Sequence, residues 1–241
     1  MRIWWALGVL GAVLASSLLT GCDSGRSDML RDLIDTENTG SGEVSSERID
    51  ELKGKIDEYR DRVEQAVQSA GQLGTYYRML ASEYIDQRMY GLALESLQKA
   101  IEIEPENPQL FYLAGLCSGQ MAKAHPAEEE ERQQLLRDAE QYYQRSLDLD
   151  GDKVSALYGL AVLYVFELDQ PSKAVPLLED VNRIEPKDAR ALMVLGRAHA
   201  ALGNTSEAAE AYAGAAEVTN DEELRRRAQE NRNTLLQGNR Q

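Results

Sequence analysis

Few side chains in this chain of 241 residues are equipped for chemistry. The candidates are two histidines, His125 and His199, two cysteines, Cys22 and Cys117, and an acidic run, Glu128, Glu129, Glu130 and Glu131. Histidine titrates near neutrality and a thiolate is a strong nucleophile, so each needs only a correctly placed partner to act. None is legible: His125 stands before Pro126, His199 falls where a helix packs, and Cys117 lies inside an apolar helical stretch. Four consecutive acids on a helix point in different directions, so they read as a solvated helix start and not as a cation site. There is no phosphate-cradling glycine loop, no paired metal-ligand spacing and no nucleophile–base–acid set. The sequence predicts a protein that is not an enzyme, with no metal and no cofactor.

Cys22 stands apart because of what precedes it. Arg2 supplies a positive start, residues 3–19 carry no charge, and Leu19, Thr20 and Gly21 lead into the cysteine. An uncharged run of this length is short for crossing hydrocarbon, which takes about 20 residues, and no Lys/Arg cluster follows it. A targeting segment is the reading favoured, with a retained membrane helix as the alternative. The four residues 19–22 resemble a bacterial lipobox. That resemblance implies cleavage before Cys22, a diacylglycerol on its thiol and a third, amide-linked acyl chain such as palmitate. Each buried methylene contributes about 0.8 kcal/mol, so such an anchor would be stable. The chain is then expected in the cell envelope, lipid-anchored on the extracytoplasmic side, and Asp23 points towards inner-membrane retention in enteric-type sorting.

Composition limits the partners. With 26 Lys and Arg against 41 Asp and Glu, a net charge of −15, the chain repels nucleic acid and offers no polybasic patch for anionic lipid. Once Cys22 is acylated Cys117 is the remaining thiol, which excludes an intramolecular disulfide. Residues 1–21 are thus read as a signal peptide and 22–45 as a flexible tether spanning roughly 26 Å as a coil. Within the tether, Met29, Leu30, Leu33 and Ile34 form a short apolar group, either a transient helical turn or a docking segment.

From 46 to 73 the reading is a long helix. Ile49, Leu52, Ile56, Tyr59, Val63, Ala66 and Ala70 recur at steps of three and four, and Glu47, Asp50 and Glu51 suit the positive end of the dipole. The stripe would lie against the following domain or pair in a coiled coil.

The remainder is periodic. From Gly74, a 34-residue spacing places Tyr77, Leu80, Ala81, Tyr84, Ala93, Leu97, Ala100 and Pro105. The series returns from 108 with Phe111, Ala114 and Gly115, then after an insertion Ala139, Tyr143 and Ser146. It returns from 154 with Leu157, Leu160, Ala161, Tyr164, Ala174, Leu178, Val181 and Pro186, and from 189 with Leu192, Leu195, Gly196, His199, Ala208, Tyr212 and Ala215. These residues resemble the tetratricopeptide repeat family. The fold implied is an all-α TPR superhelix, a helix-turn-helix solenoid of about four repeats (74–107, 108–153 with the insertion, 154–188 and 189–220). The N-terminal long helix precedes it, and a capping helix and tail, 221–241, close it with Asn220 as the cap. Arg225, Arg226 and Arg227 read as a solvated face paired to nearby Glu. The insertion is expected to lengthen the second helix of the second repeat.

In that family partners lie on the inner face of the first helix of each repeat. Carried onto this chain, the face is apolar in its middle, with Tyr112, Leu116, Tyr158, Val162, Phe166 and Met193, and basic at its margins, with Arg78 and Arg197. A helix such as 155–166, apolar almost all round, is normally covered on every side. Its cover is an external segment, or else the 46–70 helix or the C-terminal helix. The family's carboxylate clamp is absent, Leu116 and Val162 standing where it needs polarity. The function expected is a membrane-anchored scaffold or adaptor that takes a protein partner of the envelope in this groove, in envelope assembly or transport. The alternative, by resemblance to the lipoproteins that accompany TRAP transporters, is an accessory protein handling an apolar small molecule.

Overall fold

A computed structural model describes residues 46–124 and 129–238, so the expected signal peptide, Cys22, Asp23, the tether and His125 lie outside the described residues. Among the described residues the chain forms nine helices and no strand. They are α1 (Ser46–Asp86), α2 (Tyr90–Ile103), α3 (Pro108–Ala124), α4 (Glu129–Leu149), α5 (Val154–Phe166), α6 (Pro171–Ile184), α7 (Ala189–Ala201), α8 (Thr205–Val218) and α9 (Glu222–Gly238). None of them is long and apolar enough to cross a membrane. The chain divides into two compact units, Met1–Arg62 and Val63–Gln241.

In the first unit the described residues are helical, and the stripe expected to be covered is open: Ile49, Leu52, Ile56 and Tyr59 are all exposed, Ile56 by 57%. The helix anticipated over 46–73 does not stop there. Helix α1 runs on through Gly71 and Gly74 to Asp86, because neither glycine stands at a turn and the next helix-compatible residues continue the hydrogen-bond ladder.

The second unit is a stack of helix pairs, the part of α1 from Val63 onward with α2, then α3–α4, α5–α6 and α7–α8, closed by α9. Each pair is amphipathic and cannot bury its apolar face alone, so stacking supplies the core. That core falls into two clusters: Ala81, Ala93, Leu97, Ala100, Leu110 and Ala114 in the first repeat and its neighbour, and a larger one from Ala122 to Ala228. The small positions expected at the helix crossings are used as crossings. Ala81 and Ala161 are fully buried, and at Gly196 an added Cβ would lie 2.7 Å from Cε1 of Tyr212. Tyr143 does this twice, pressing its ring against both Gly115 and Gly159, where a Cβ would fall 2.8 Å away in each case.

Helix ends follow local chemistry. Pro105 and Pro186 lie just beyond α2 and α6, which end at Ile103 and Ile184, as a ring that cannot continue a helix requires. Asp188 caps α7, accepting from the backbone N–H groups of Arg190 (2.9 Å) and Ala191 (3.3 Å). Two expectations are corrected. Asn220 is not the cap of α9: Asp221 is, its Oδ1 accepting from Glu223 N at 2.8 Å and Leu224 N at 3.1 Å, because the helix begins one residue later than the sequence suggested. The insertion lengthens both helices of the second repeat. Helix α3 has 17 residues against 13 in α5 and α7, and α4 has 21 against 14 in α2, α6 and α8.

Candidate functional site

The most apolar helix of the stack, α5, determines the site. Ala156, Leu157, Leu160, Ala161, Leu163 and Tyr164 are buried between its neighbours, which leaves Tyr158, Val162 and Phe166 on its remaining side. That side is open: Tyr158 and Val162 are half-buried and Phe166 is 54% exposed. Two depressions meet there. One is lined by Tyr112, Leu116, Gly119, Tyr143, Tyr158 and Val162, the other by Tyr158, Val162, Phe166, Met193, Arg197 and Arg227. Sharing Tyr158 and Val162, they form one apolar floor across α3, α5 and α7.

Seven of the eight residues expected on the inner face are therefore brought together. Arg78 is not: it belongs to the first repeat, where its Nε lies 3.7 Å from Glu104 and its Nη2 hydrogen-bonds Thr75 Oγ1 at 3.3 Å.

Cations rim the floor on the α7 and α9 side. The guanidinium of Arg190 lies 5.6 Å from the centre of the Tyr158 ring and is paired with Asp188 at 3.1 Å. Burial acts to raise the Asp188 carboxyl, but the bonds from Arg190 and from two backbone N–H groups outweigh it and hold the pKa below the usual value. Among the described residues no carboxylate pairs with Arg197 or Arg227. At the other end Glu167 takes both Lys123 (3.7 Å) and Arg132 (3.2 Å), so that edge is electrically closed. Burial raises the pKa of Tyr112 and of Tyr158, keeping both phenols protonated donors over the physiological range.

The C-terminal helix, one of the expected covers, is a wall and not a lid. Leu224, Arg227 and Asn231 of α9 line the second depression, yet Phe166 stays exposed. The three successive arginines divide: Arg225 Nε donates to Ala216 O at 3.3 Å, tying down the end of α8, Arg226 pairs with Glu223 and Glu230, and Arg227 faces the groove. Only Arg226 follows the expected pattern. The sequence signal for Arg227 was its spacing of three from Leu224 and four from Asn231, which shares a helix face.

Among the described residues, neither Cys117 nor His199 is set beside an acid or base in a catalytic arrangement. The thiol of Cys117 is fully buried and pushed up to about 12 by burial, so it is a packing group, and His199 meets Asn204 at 3.4 Å near the end of α7. Among the described residues no group of His, Cys, Asp and Glu is arranged to hold a metal.

The stacked helix pairs with an open inner floor define the class: an all-helical repeat scaffold. Tetratricopeptide repeat models match the chain at residues 74–107 and 165–230, so tetratricopeptide repeats are present. A TPR repeat-containing protein of Borreliella burgdorferi is 24% identical over 223 residues, covering 92% of this chain and 94% of its own length. Among solved structures, MamA (41 to the end) from Desulfovibrio magneticus RS-1 superposes with a TM-score of 0.55 at 19% identity, covering 70% of this chain and 96% of the other. YrrB, described as a TPR protein with an unusual peptide-binding site, gives 0.54 at 20% identity, covering 73% and 88%. At such identities the likeness speaks for the fold, which is a TPR superhelix. Proteins of this fold are generally interaction scaffolds and not enzymes.

Proposed function

We propose that this protein is a scaffold that holds a protein partner on the inner floor of its repeats, and that it does so at a membrane to which Cys22 is acyl-linked, on the extracytoplasmic side of the cell envelope. The observation that carries the first half is the floor itself: an apolar surface joined through Tyr158 and Val162, left open at Phe166, and rimmed by Arg197 and Arg227. Such a surface suits an apolar segment, helical or extended, that carries carboxylates at one edge. The peptide-binding description of YrrB supports a polypeptide over a small molecule as occupant. The second half rests on the residues 3–22, from the uncharged run to the cysteine.

A photo-reactive residue at Phe166 in living cells, compared with one at Glu179 on the outer helix α6, tests the groove. A discrete protein adduct at 166, absent at 179, is the expected result. A lipid or metabolite adduct at 166 would replace this reading with the carrier alternative. Cys22→Ser tests the anchor: the variant should stay unprocessed and lose its acyl mass, and acylation surviving the change would refute lipid attachment at that residue.

A further inference from the structure

Helix α1 carries an exposed apolar surface of its own. Ile49, Leu52, Ile56 and Tyr59 are exposed, and the steps between them are three, four and three. The same helix continues the alternation through Val63, Ala66, Ala70 and Leu73 without a slip. On a helix of 3.6 residues per turn, a strict seven-residue repeat drifts about 20° per heptad, and it stays in register only with another helix that coils around it. A stripe meant for a flat surface would keep the 3.6 period and widen, whereas from 47 to 62 this one holds no large apolar residue besides Ile49, Leu52, Ile56 and Tyr59.

Charge selects the partner. If Ile49 and Ile56 are first core positions and Leu52 and Tyr59 second ones, the residues flanking the seam from 48 to 62 are Arg48, Lys53, Lys55, Arg60 and Arg62, all basic, with Val67 and Ser69 following in the next heptad. The acids, among them Asp50, Glu51, Asp57 and Glu58, lie on the opposite, outer side. Each flanking cation is attended from its own helix: Arg48 by Glu51 at 2.7 Å, Lys53 by Asp50 at 3.8 Å, Lys55 by Glu51 at 3.4 Å and Arg60 by Asp57 at 3.0 Å, while Arg62 lies 5.3 Å over the Tyr59 ring. Exposed pairs of this kind are weak and give way to a better-placed carboxylate. In a parallel pair of identical chains Arg48 would face Lys53 and Lys55 would face Arg60. In an antiparallel pair the flanks again meet basic to basic. Like charges at these positions disfavour self-association.

We infer that the exposed seam of helix α1 pairs in a coiled coil with a helix of a different protein whose own seam is flanked by Glu or Asp, and that the basic flanks exclude a second copy of this chain.

Two synthetic heptad peptides, identical except for Glu or Lys at every flanking position, are titrated into the purified full-length protein. In the background Arg197→Glu/Arg227→Glu, in which the groove no longer favours acidic flanks, the Glu peptide should still bind at least tenfold more tightly, lose that advantage as salt rises, and fail to bind once Ile56→Asp is added. In sedimentation equilibrium the wild type should show no dimer that Ile56→Asp abolishes. The variant R48E/K55E/R62E, which leaves Lys53 and Arg60 opposite the new acids, should gain one. Equal affinity for the two peptides, binding of neither, or a wild-type dimer abolished by Ile56→Asp overturns the inference. So does adsorption to anionic phospholipid vesicles that Ile56→Asp abolishes, which would make the surface a lipid-facing one.

Discussion

Arg190 lies over the ring of Tyr158 at 5.6 Å while Asp188 pairs with it at 3.1 Å, so one cation both covers an aromatic and partners a helix cap. The arrangement fixes Tyr158 at the junction of the two depressions and leaves Phe166, about two helical turns further along α5, as the unattended apolar end.

Phe166 is the residue whose loss should separate binding from folding. Being 54% exposed, it contributes little to the core, so Phe166→Ser should leave stability within about 0.5 kcal/mol of wild type. Because it is the exposed aromatic at the open end of the floor, its loss should weaken partner binding by at least roughly fivefold, corresponding to about 1 kcal/mol. Thermal unfolding and a pull-down with the cross-linked partner check the two halves together.

Helix crossings should respond in the opposite way. Gly196→Ala places a methyl 2.7 Å from Tyr212 Cε1, and overpacking of this kind costs about 1–3 kcal/mol. Gly214→Ala, also in a helix, meets Leu192 at an ordinary 3.5 Å and should stabilise by about 0.5–1 kcal/mol through the backbone alone. Denaturant melts of the two variants should shift to opposite sides of wild type.

Asp188 gives the pH prediction. Its folded pKa is held below the ordinary 3.8, so its stabilisation is complete above that value and is lost as pH falls through the lowered folded pKa. Asp188→Ala should cost about 1 kcal/mol at pH 7, as loss of a helix cap does. The gap between variant and wild type should narrow when melts are repeated progressively below pH 3.8, whereas it should be flat from pH 5 to pH 8.

The repeats were legible because their constraint is repeated: each helix crossing needs a small residue opposite a large one, and Ala81, Gly115, Ala161 and Gly196 meet that need at intervals of 34, 46 and 35 residues, the long one holding the insertion. The groove floor was legible for the same reason, since its residues occupy set positions on consecutive first helices. What the period does not encode was missed. The rotation of α9 about its own axis, which turns Leu224, Arg227 and Asn231 into the groove, goes with the seating of Ala228 in the core. The continuity of α1 through Gly71 and Gly74 was masked because two glycines and a change of repeat phase read as a boundary, although neither residue adopts a turn conformation. Asp221 was passed over for Asn220 because both residues cap well and only the bonds to Glu223 and Leu224 decide between them.

The most direct test of the groove is its charge preference. Peptides with an identical apolar core, flanked either by Glu or by Lys, are titrated by fluorescence anisotropy into wild type and into Arg197→Glu/Arg227→Glu, with Phe166→Ser confirming the location. Wild type should prefer the Glu-flanked series by tenfold or more, and the double reversal should transfer the preference to the Lys-flanked series. An unchanged preference in the reversed variant, or binding indifferent to Phe166, would contradict the groove as the binding site.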